Sequence, residues 1–251
     1  MLSVKNIHRT YGTGNQQVEA IRDLSLDADA GEFVCIVGPS GAGKTTLLKC
    51  LSGLMTPTTG TVVLDGELVT EPPEKMASVF QDYSRSLMPW LTVDRNVALP
   101  LRNKFPSPAD RKQRVARALD EVGLTGFGTR YPWQLSGGMQ QRVAIARGLA
   151  YQPEILLLDE PFASVDAQTR ADLEDLVQQV QIATGVTMVL VTHDIDEAVY
   201  LGDRIVVMSA RPSVVLETVP VDLPRPRNQL TTKALPQFAE LRAHVLSLVR
   251  S

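Results

Sequence analysis

Residues 38–45 read Gly38-Pro39-Ser40-Gly41-Ala42-Gly43-Lys44-Thr45, a full match to the phosphate-binding pattern G-x-x-x-x-G-K-[ST]. The apolar run just before it, residues 32–37, predicts a buried strand. Residues 45–51, just after it, predict a helix that ends before Gly53. This strand–loop–helix context is the one that the pattern requires, and it favours a P-loop over a glycine-rich turn with a chance lysine.

Each residue type in this loop has a physical reason. Glycines let the main chain take conformations that a side chain would forbid, and successive N–H groups then form an anion-binding concavity at a helix N-terminus. We expect Lys44 to reach the β- and γ-phosphates and the Thr45 hydroxyl to ligate Mg²⁺. The sequence therefore predicts a nucleoside-triphosphate site made of Gly38, Pro39, Ser40, Gly41, Ala42, Gly43, Lys44, Thr45 and Thr46.

The composition argues against several other classes of protein. The 251 residues are 44% hydrophobic and 21% charged, as in an ordinary soluble protein, and the net charge of -3 gives no footprint for nucleic acid. No apolar run approaches the roughly 18 residues of a spanning helix. The first residues do not resemble a signal peptide, and we expect a cytosolic chain. Cys35 and Cys50 are expected to be small buried hydrophobes rather than a disulfide or a metal pair.

Strand and helix signals alternate along the rest of the chain. Strands are predicted in the first 26 residues and at 61–64, 76–80, 155–158, 187–192 and 204–208. Helical signals dominate from about 82 to 150, and the predicted helix N-caps are Ser107, Ser136 and Asp166. Residues 221–251 predict a linker and a last amphipathic helix, which could pack on its own chain, pair with a second subunit or regulate it.

A second part of the site is predicted by Ile155-Leu156-Leu157-Leu158-Asp159-Glu160. An acidic residue that ends a buried apolar strand is typical of a Walker B motif, in which Asp159 would hold Mg²⁺. Glu160 would then polarise the attacking water, directly or as a general base. The alternative is an acidic pair that opens a solvated turn, and a P-loop earlier in the chain favours the Walker B interpretation.

A third motif reads Leu135-Ser136-Gly137-Gly138-Met139-Gln140-Gln141-Arg142. It places a serine and two glycines at a helix N-terminus, which is a second anion site. Two phosphate sites in one chain suggest a head-to-tail dimer, in which each ATP lies between one P-loop and the partner's Ser136, Gly137 and Gly138. Between a Walker A and a Walker B motif this stretch is specific, and over about residues 1–220 the sequence resembles the ATP-binding cassette (ABC) ATPases.

The resemblance implies an α/β P-loop NTPase fold with a RecA-like core, an antiparallel β subdomain and a helical subdomain at about 85–150. It also implies ATP hydrolysis with Mg²⁺. The other family motifs appear in order, with Val165 in place of the usual leucine before Asp166. The roles implied are stacking on adenine for Tyr11, contact with the metal or the attacking water for Gln81, a place at the dimer interface for Asp166 and contact with the γ-phosphate for His193.

Residues 81–93, 192–201 and 223–227 are similar to importers of the nitrate, sulfonate and taurine group. This similarity implies a peripheral ATPase subunit on the cytoplasmic face of the inner membrane. Its partners would be a second copy, permease subunits near Gln81 to Leu91 and, indirectly, an extracytoplasmic solute-binding protein. We expect the apolar stretch Leu87-Met88-Pro89-Trp90-Leu91 to be an exposed groove for a partner's helix, although Trp90 and Leu91 could instead pack the helical subdomain.

Other classes share parts of this pattern. A P-loop small-molecule kinase would have no use for residues 135–140, and non-transport ABC ATPases that act on DNA or ribosomes usually carry coiled-coil insertions or two cassettes in one chain. An ABC exporter subunit stays open as an alternative. The sequence does not name the solute, nor whether the chain pairs with itself or with a different cassette subunit.

Overall fold

The computed structural model of the chain describes residues 1–12, 14, 17–81 and 86–250. The strands of this part form two sheets, and the helices lie around the larger one. The smaller sheet is antiparallel, with the order β2-β1-β4-β5. Its strands are β1 (Leu2–Tyr11), β2 (Val18–Ala28), β4 (Thr59–Leu64) and β5 (Glu67–Leu68).

The larger sheet has the order β10-β9-β3-β8-β7-β6 and is parallel except for β10, which pairs antiparallel with β9. Its strands are β3 (Phe33–Val37), β6 (Met76–Val79), β7 (Ile155–Asp159), β8 (Thr187–Thr192), β9 (Arg204–Met208) and β10 (Val215–Pro220). Every residue of β3, β7 and β8 is buried, as expected for parallel strands covered on both faces. The segments that follow β3, β7 and β8 therefore meet at one edge of the sheet.

The helices begin largely where the sequence predicts. Ser107, Ser136 and Asp166 each accept a hydrogen bond from the backbone N–H three residues later, which confirms the three predicted N-caps. The helices are α1 (Lys44–Leu51), α2 (Val93–Ala98), α3 (Leu101–Lys104), α4 (Pro108–Glu121), α5 (Gly137–Ala150), α6 (Ala167–Thr184), α7 (Ile195–Leu201) and α8 (Pro236–Arg250), and a 3-10 turn spans Pro132–Gln134. None of the helices in the described ranges is long and apolar enough to cross a membrane.

Alternate residues of the parallel strands face two separate apolar cores. On β3, Phe33 and Val37 face a core shared with the helices between residues 93 and 150, while Ile36 faces a core shared with α1 and the smaller sheet. Cys35 and Cys50 are both buried and unpaired, as predicted. The larger sheet is thus fixed from both faces, and its carboxyl edge is a rigid platform for the loops that leave it.

The C-terminal segment packs on its own chain. On α8, Phe238 and Val245 are buried in the same core as the helices between residues 93 and 150. Before α8, the buried guanidinium of Arg227 donates hydrogen bonds to the carbonyls of Tyr200 (2.9 Å) and Gly202 (2.7 Å). Of the three roles open for this segment, packing is the one observed, and pairing and regulation stay predictions.

Candidate functional site

The predicted P-loop connects the end of β3 to the start of α1. Gly43 is the N-cap of α1 with φ +85°, and a Cβ on Gly38 would lie 2.9 Å from the carbonyl oxygen of Met208, so both positions require glycine. The Lys44 ammonium is buried and donates to the carbonyls of Gly38 (2.8 Å) and Pro39 (3.1 Å). Burial lowers the pKa of Lys44, against the opposing charges of Glu160 and Asp159. The loop therefore encloses the Lys44 ammonium. A bound phosphate would replace the carbonyls of Gly38 and Pro39 as its hydrogen-bond acceptor.

Thr45 and Asp159 lie side by side at the edge of the sheet. The Thr45 hydroxyl donates to Asp159 Oδ1 at 3.4 Å, although the two residues are 114 positions apart. Burial raises the pKa of Asp159, and the hydrogen bond from Thr45 opposes this shift. Among the described residues there is no cluster of three histidine, cysteine or acidic side chains that could hold a metal alone. This pair fits Mg²⁺ all the same, because Mg²⁺ is usually held by one or two carboxylates together with substrate phosphates and water.

Three of the predicted catalytic side chains meet at Glu160. Its Oε2 accepts a hydrogen bond from Gln81 Nε2 at 3.1 Å and lies 3.1 Å from His193 Nδ1. Glu160 follows β7 and His193 follows β8, so the parallel register of these strands brings the two together. Glu160 also has φ +43°, a left-handed conformation for a non-glycine residue, and its N–H donates to the carbonyl of Val191 at 2.8 Å. Such a conformation costs on the order of 1–3 kcal/mol and persists where the surroundings impose it.

Tyr11 is the last residue of β1, and its side chain reaches the start of α1, next to the P-loop. Its hydroxyl shares a hydrogen bond with the Thr46 hydroxyl at 3.0 Å, and the guanidinium of Arg9 lies 5.0 Å from the centre of its ring. The ring is partly exposed. An exposed aromatic face beside a phosphate loop is suited to stacking on a base. Sequence reasoning did not identify Arg9, which belongs to no motif there.

The third motif contacts the first turn of α6 through residues 136–138, which we name the signature turn. Ser136 caps α5 by accepting from Met139 N at 3.3 Å, and a Cβ on Gly138 would lie 2.3 Å from Thr169 Cγ2 in the first turn of α6. Asp166 accepts from Thr169 N at 3.0 Å. In the described ranges no hydrogen bond joins residues 136–138 to residues 38–46. One chain thus brings together Tyr11, the P-loop, Gln81, Asp159, Glu160 and His193, but not Ser136, Gly137 and Gly138.

The apolar stretch at residues 87–91 differs from the prediction at Leu87, which is buried and belongs to the core. The buried Asn96 explains this, since its side chain accepts from Met88 N (2.8 Å) and donates to the carbonyls of Met88 (3.1 Å) and Leu91 (3.0 Å). These bonds fix the loop with Leu87 inward and Trp90 outward, where 70% of Trp90 is exposed. Residues 82–85, which form part of the predicted partner contact, lie outside the described ranges.

Two further exposed aromatic residues, Tyr131 and Trp133, lie on a segment that is hydrogen-bonded to the one that follows Trp90. Tyr131 and Trp133 stack with ring centres 5.9 Å apart, and 70% of Trp133 is exposed. The hydrogen bond from Val93 N to the carbonyl of Arg130, 2.8 Å long, runs between the two segments and sets them side by side. We name Trp90, Tyr131 and Trp133 the aromatic surface. Sequence reasoning missed Tyr131 and Trp133, whose one signal was their place just before the signature motif.

A cavity of about 460 Å³ lies at the other end of the larger sheet, where β7 and β8 begin at Ile155 and Thr187. It is lined also by Arg114 and Glu121 of α4. This cavity does not adjoin the Glu160 cluster, since it lies at the amino ends of the strands whose carboxyl ends carry that cluster.

A P-loop after one parallel strand and an acidic pair at the end of another define a nucleotide-hydrolysing P-loop ATPase. The family description "ABC transporter" matches residues 21–163, more than half of the chain, and the chain belongs to this family. The chain is 42% identical to the aliphatic sulfonates import ATP-binding protein SsuB of Bacillus licheniformis. The alignment covers 98% of this chain and 92% of that protein. The chain is 39% identical over 99% of its length to 95% of the nitrate import ATP-binding protein NrtD of Synechocystis.

Solved structures bear out the fold. The dimeric post-hydrolysis state of the ATP-binding cassette MJ0796, bound to ADP and Pi, is 36% identical with a TM-score of 0.77 over 88% of this chain and 99% of that one. The predicted ABC cassette fold and the predicted ATPase activity are confirmed by these comparisons.

Proposed function

We propose that this chain is the ATP-hydrolysing subunit of a membrane importer for a small solute such as nitrate, a sulfonate or taurine. The observation that carries the ATPase part is the Glu160 carboxylate, which lies between Gln81 and His193 directly after Asp159. The relatives named for sulfonate and nitrate import support the solute class. The subunit would sit on the cytoplasmic face of the inner membrane, held there by its permease partners.

Binding of ATP would begin at the P-loop. Backbone N–H groups of residues 40–43 and the Lys44 ammonium would hold the β- and γ-phosphates, and Tyr11 would cover the adenine. Lys44 would exchange its bonds to the carbonyls of Gly38 and Pro39 for phosphate oxygens. Thr45, Asp159 and Gln81 would hold Mg²⁺, which when bound neutralises charge on the phosphates.

Hydrolysis would take place against Glu160. The carboxylate would orient the attacking water and accept its proton as the bond from the water oxygen to the γ-phosphorus forms and the bond to the β–γ bridging oxygen breaks. His193 would contact the γ-phosphate from the neighbouring strand. The strained backbone of Glu160 fits this role, because it aims the carboxylate at the space between Gln81 and His193.

Completion of the site would need a second copy. Ser136 and Gly137 are exposed at the N-terminus of α5, and residues 136–138 make no hydrogen bond to residues 38–46 in the described ranges, so this helix end would serve the ATP of a partner arranged head to tail. Asp166 would lie at the same interface. The dimeric form of the MJ0796 cassette supports this arrangement.

The permease would dock on the aromatic surface. Trp90 and Trp133 are large, exposed and held by backbone and Asn96 hydrogen bonds, which lowers the entropy lost when a partner binds. We expect Trp90→Ser with Trp133→Ser to abolish transport while the isolated subunit hydrolyses ATP as before. An unchanged transport rate would place the permease contact elsewhere.

The solute is tested by growth. The gene is deleted, and growth is measured with alkanesulfonates or taurine as the sole sulfur source and with nitrate as the sole nitrogen source. We expect loss of growth on one of these, restored by the intact gene but not by a gene carrying Lys44→Ala. Normal growth on all of them would overturn the proposed solute class and leave the ATPase assignment standing.

A further inference from the structure

The loop that carries His193 is held by hydrogen bonds from both of its neighbours. The buried Thr192 hydroxyl accepts from Asp194 N at 3.0 Å and donates to Glu197 Oε2 at 2.6 Å. Asp194 Oδ1 accepts from the N–H groups of Asp196 (2.8 Å) and Glu197 (3.3 Å) and so caps α7. The position of His193 between Thr192 and Asp194 therefore depends on these contacts.

Arg170 ties this loop to the first turn of α6. Its Nη1 donates to Asp194 Oδ2 at 3.2 Å, and its backbone N–H donates to the carbonyl of Asp166 at 2.9 Å. Its Nε is enclosed and makes no hydrogen bond within the described ranges, at 3.7 Å from Glu197 Oε1. Burial raises the pKa of Glu197 to about 8 despite the nearby charge of Arg170. A hydrogen bond from Arg170 Nε to Glu197 Oε1 would need the two atoms to come about half an ångström closer.

The same turn of α6 also touches the signature motif. Thr169, adjacent to Arg170, places its Cγ2 in the space that a Cβ on Gly138 would occupy, 2.3 Å away. Its backbone and hydroxyl both bond to Asp166, which fixes its rotamer. One helical turn therefore contacts the signature turn through Thr169 and the His193 loop through Arg170.

We propose that Arg170 is a positioning residue that couples the signature turn of the chain to the His193 loop of the same chain. The inference rests on the proposed function, in which these two parts serve different ATP molecules of a head-to-tail dimer. When the partner's ATP meets Ser136 to Gly138, the shift passes through Thr169 and Arg170 to Asp194 and sets the place of His193. ATP bound at one site then changes the position of His193 at the other site.

The test is steady-state ATP hydrolysis by Arg170→Gln beside the matched control Arg117→Gln. Arg117 also pairs with a glutamate, Glu121, at 2.8 Å, but lies exposed on α4 far from both motifs in sequence. We expect Arg170→Gln to lower kcat at least tenfold and to bring the Hill coefficient for ATP close to one. The Kd for a fluorescent ATP analogue should stay within twofold of that of the unaltered chain, and Arg117→Gln should change none of these.

A purely structural role is separated by the double variant Arg170→Gln with Asp194→Asn, which removes the charges of both members of the ion pair while the asparagine can still cap α7. We expect its thermal midpoint to return toward that of the unaltered chain while kcat stays low. Recovery of kcat together with the midpoint would overturn the proposal, as would unaltered kcat and Hill coefficient in Arg170→Gln. Absence of hydrolysis in the unaltered chain would instead overturn the proposed function.

Discussion

The Glu160 carboxylate has two neighbours with different needs. Gln81 Nε2 is a donor and requires an acceptor, whereas His193 Nδ1 donates or accepts according to its tautomer. A glutamine at position 160 could keep one of these contacts through its amide oxygen. It could not accept a proton from water, because its amide is not basic at neutral pH. The residue thus offers a substitution that separates binding from proton transfer.

We predict that Glu160→Gln lowers kcat for ATP hydrolysis at least a hundredfold, a typical loss for a general base. ATP should still bind, since the P-loop is untouched, and the variant should accumulate as a dimer with bound ATP. Hydrolysis is measured by phosphate release and the dimer by light scattering. Glu240→Gln, an exposed change on α8, is the control. Hydrolysis at the unaltered rate would show that Glu160 has no catalytic role.

Glu197 permits a test by pH. Burial raises its pKa from 4.5 to about 8. Between these values the folded chain holds a proton that the unfolded chain lacks, so the stabilisation is full below about pH 4.5 and is lost as the pH rises through about 8. In that window Glu197 lowers the free energy of unfolding by up to about 1.4 kcal/mol per pH unit.

We therefore predict that Glu197→Gln flattens the fall in the free energy of unfolding between pH 5.5 and 8. The amide keeps an oxygen that can accept from Thr192, so this hydrogen bond is retained and the comparison isolates the titration. Denaturant unfolding is followed at several pH values for both chains. A slope that is the same in both would mean that Glu197 titrates near its ordinary pKa.

At the scale of elements, α5 and α6 meet at Gly138, where the contact leaves no room for a side chain. The space beside Gly138 is filled by the methyl group of Thr169. A side chain at position 138 would therefore have to displace Thr169 or the start of α6 that carries it. The contact can be altered from either side.

We predict that Gly138→Ala destabilises the chain by about 1–3 kcal/mol through overpacking. Adding Thr169→Ser removes the obstructing methyl group and keeps the hydroxyl that donates to Asp166, so the double variant should regain most of the stability. The free energy of unfolding of both variants and of Thr169→Ser alone is measured. No recovery in the double variant would mean that the cost of Gly138→Ala arises elsewhere.

Local sequence signals predicted the helices and strands better than they predicted the contacts between them. The caps at Ser107, Ser136 and Asp166 depend on neighbours three residues away, and the buried strand β7 is visible as an apolar run, so both were predictable. Leu87 was assigned wrongly to the surface because the hydrogen bonds of Asn96 decide which side of the loop faces inward.

The candidate site shows the same limit. Motifs placed Lys44, Asp159 and His193 near phosphate, since each lies at or beyond the carboxyl end of a parallel strand. The ion pair of Arg170 with Asp194 spans 24 positions between two helix starts, and no spacing rule predicts which side chains will meet there. Similarly, the stacking of Tyr131 on Trp133 depends on the 3-10 turn that follows Tyr131 and contains Trp133.

At the scale of the whole molecule, the proposed function divides each ATP site between two chains. The P-loop half and the signature half lie on different elements, and no hydrogen bond in the described ranges joins them. A head-to-tail dimer with twofold symmetry would complete two sites at once. A chain with a defective P-loop half should then be complemented by a partner whose defect lies in the signature half, because the pair still forms one intact site.

We predict that two inactive variants recover hydrolysis when mixed. Lys44→Ala removes the P-loop cation, and Gly137→Asp places a carboxylate where the partner's γ-phosphate would lie, while an acidic residue there still suits the N-terminus of α5. A mixed dimer has one site with both defects and one with none. Since half the dimers in an equal mixture are mixed, hydrolysis should reach about a quarter of the unaltered rate if the intact site works alone.

The control mixes Lys44→Ala with a chain that carries both changes, because no pairing of those two chains yields an intact site. Rates are measured over a range of total protein concentration, and recovery should rise with concentration as dimers form. Thermal unfolding of each variant shows that it is folded before mixing. If the two single variants recover no more activity than the control pair, the ATP sites are not shared between chains, and the signature turn of each chain must serve some other purpose than closing its partner's site.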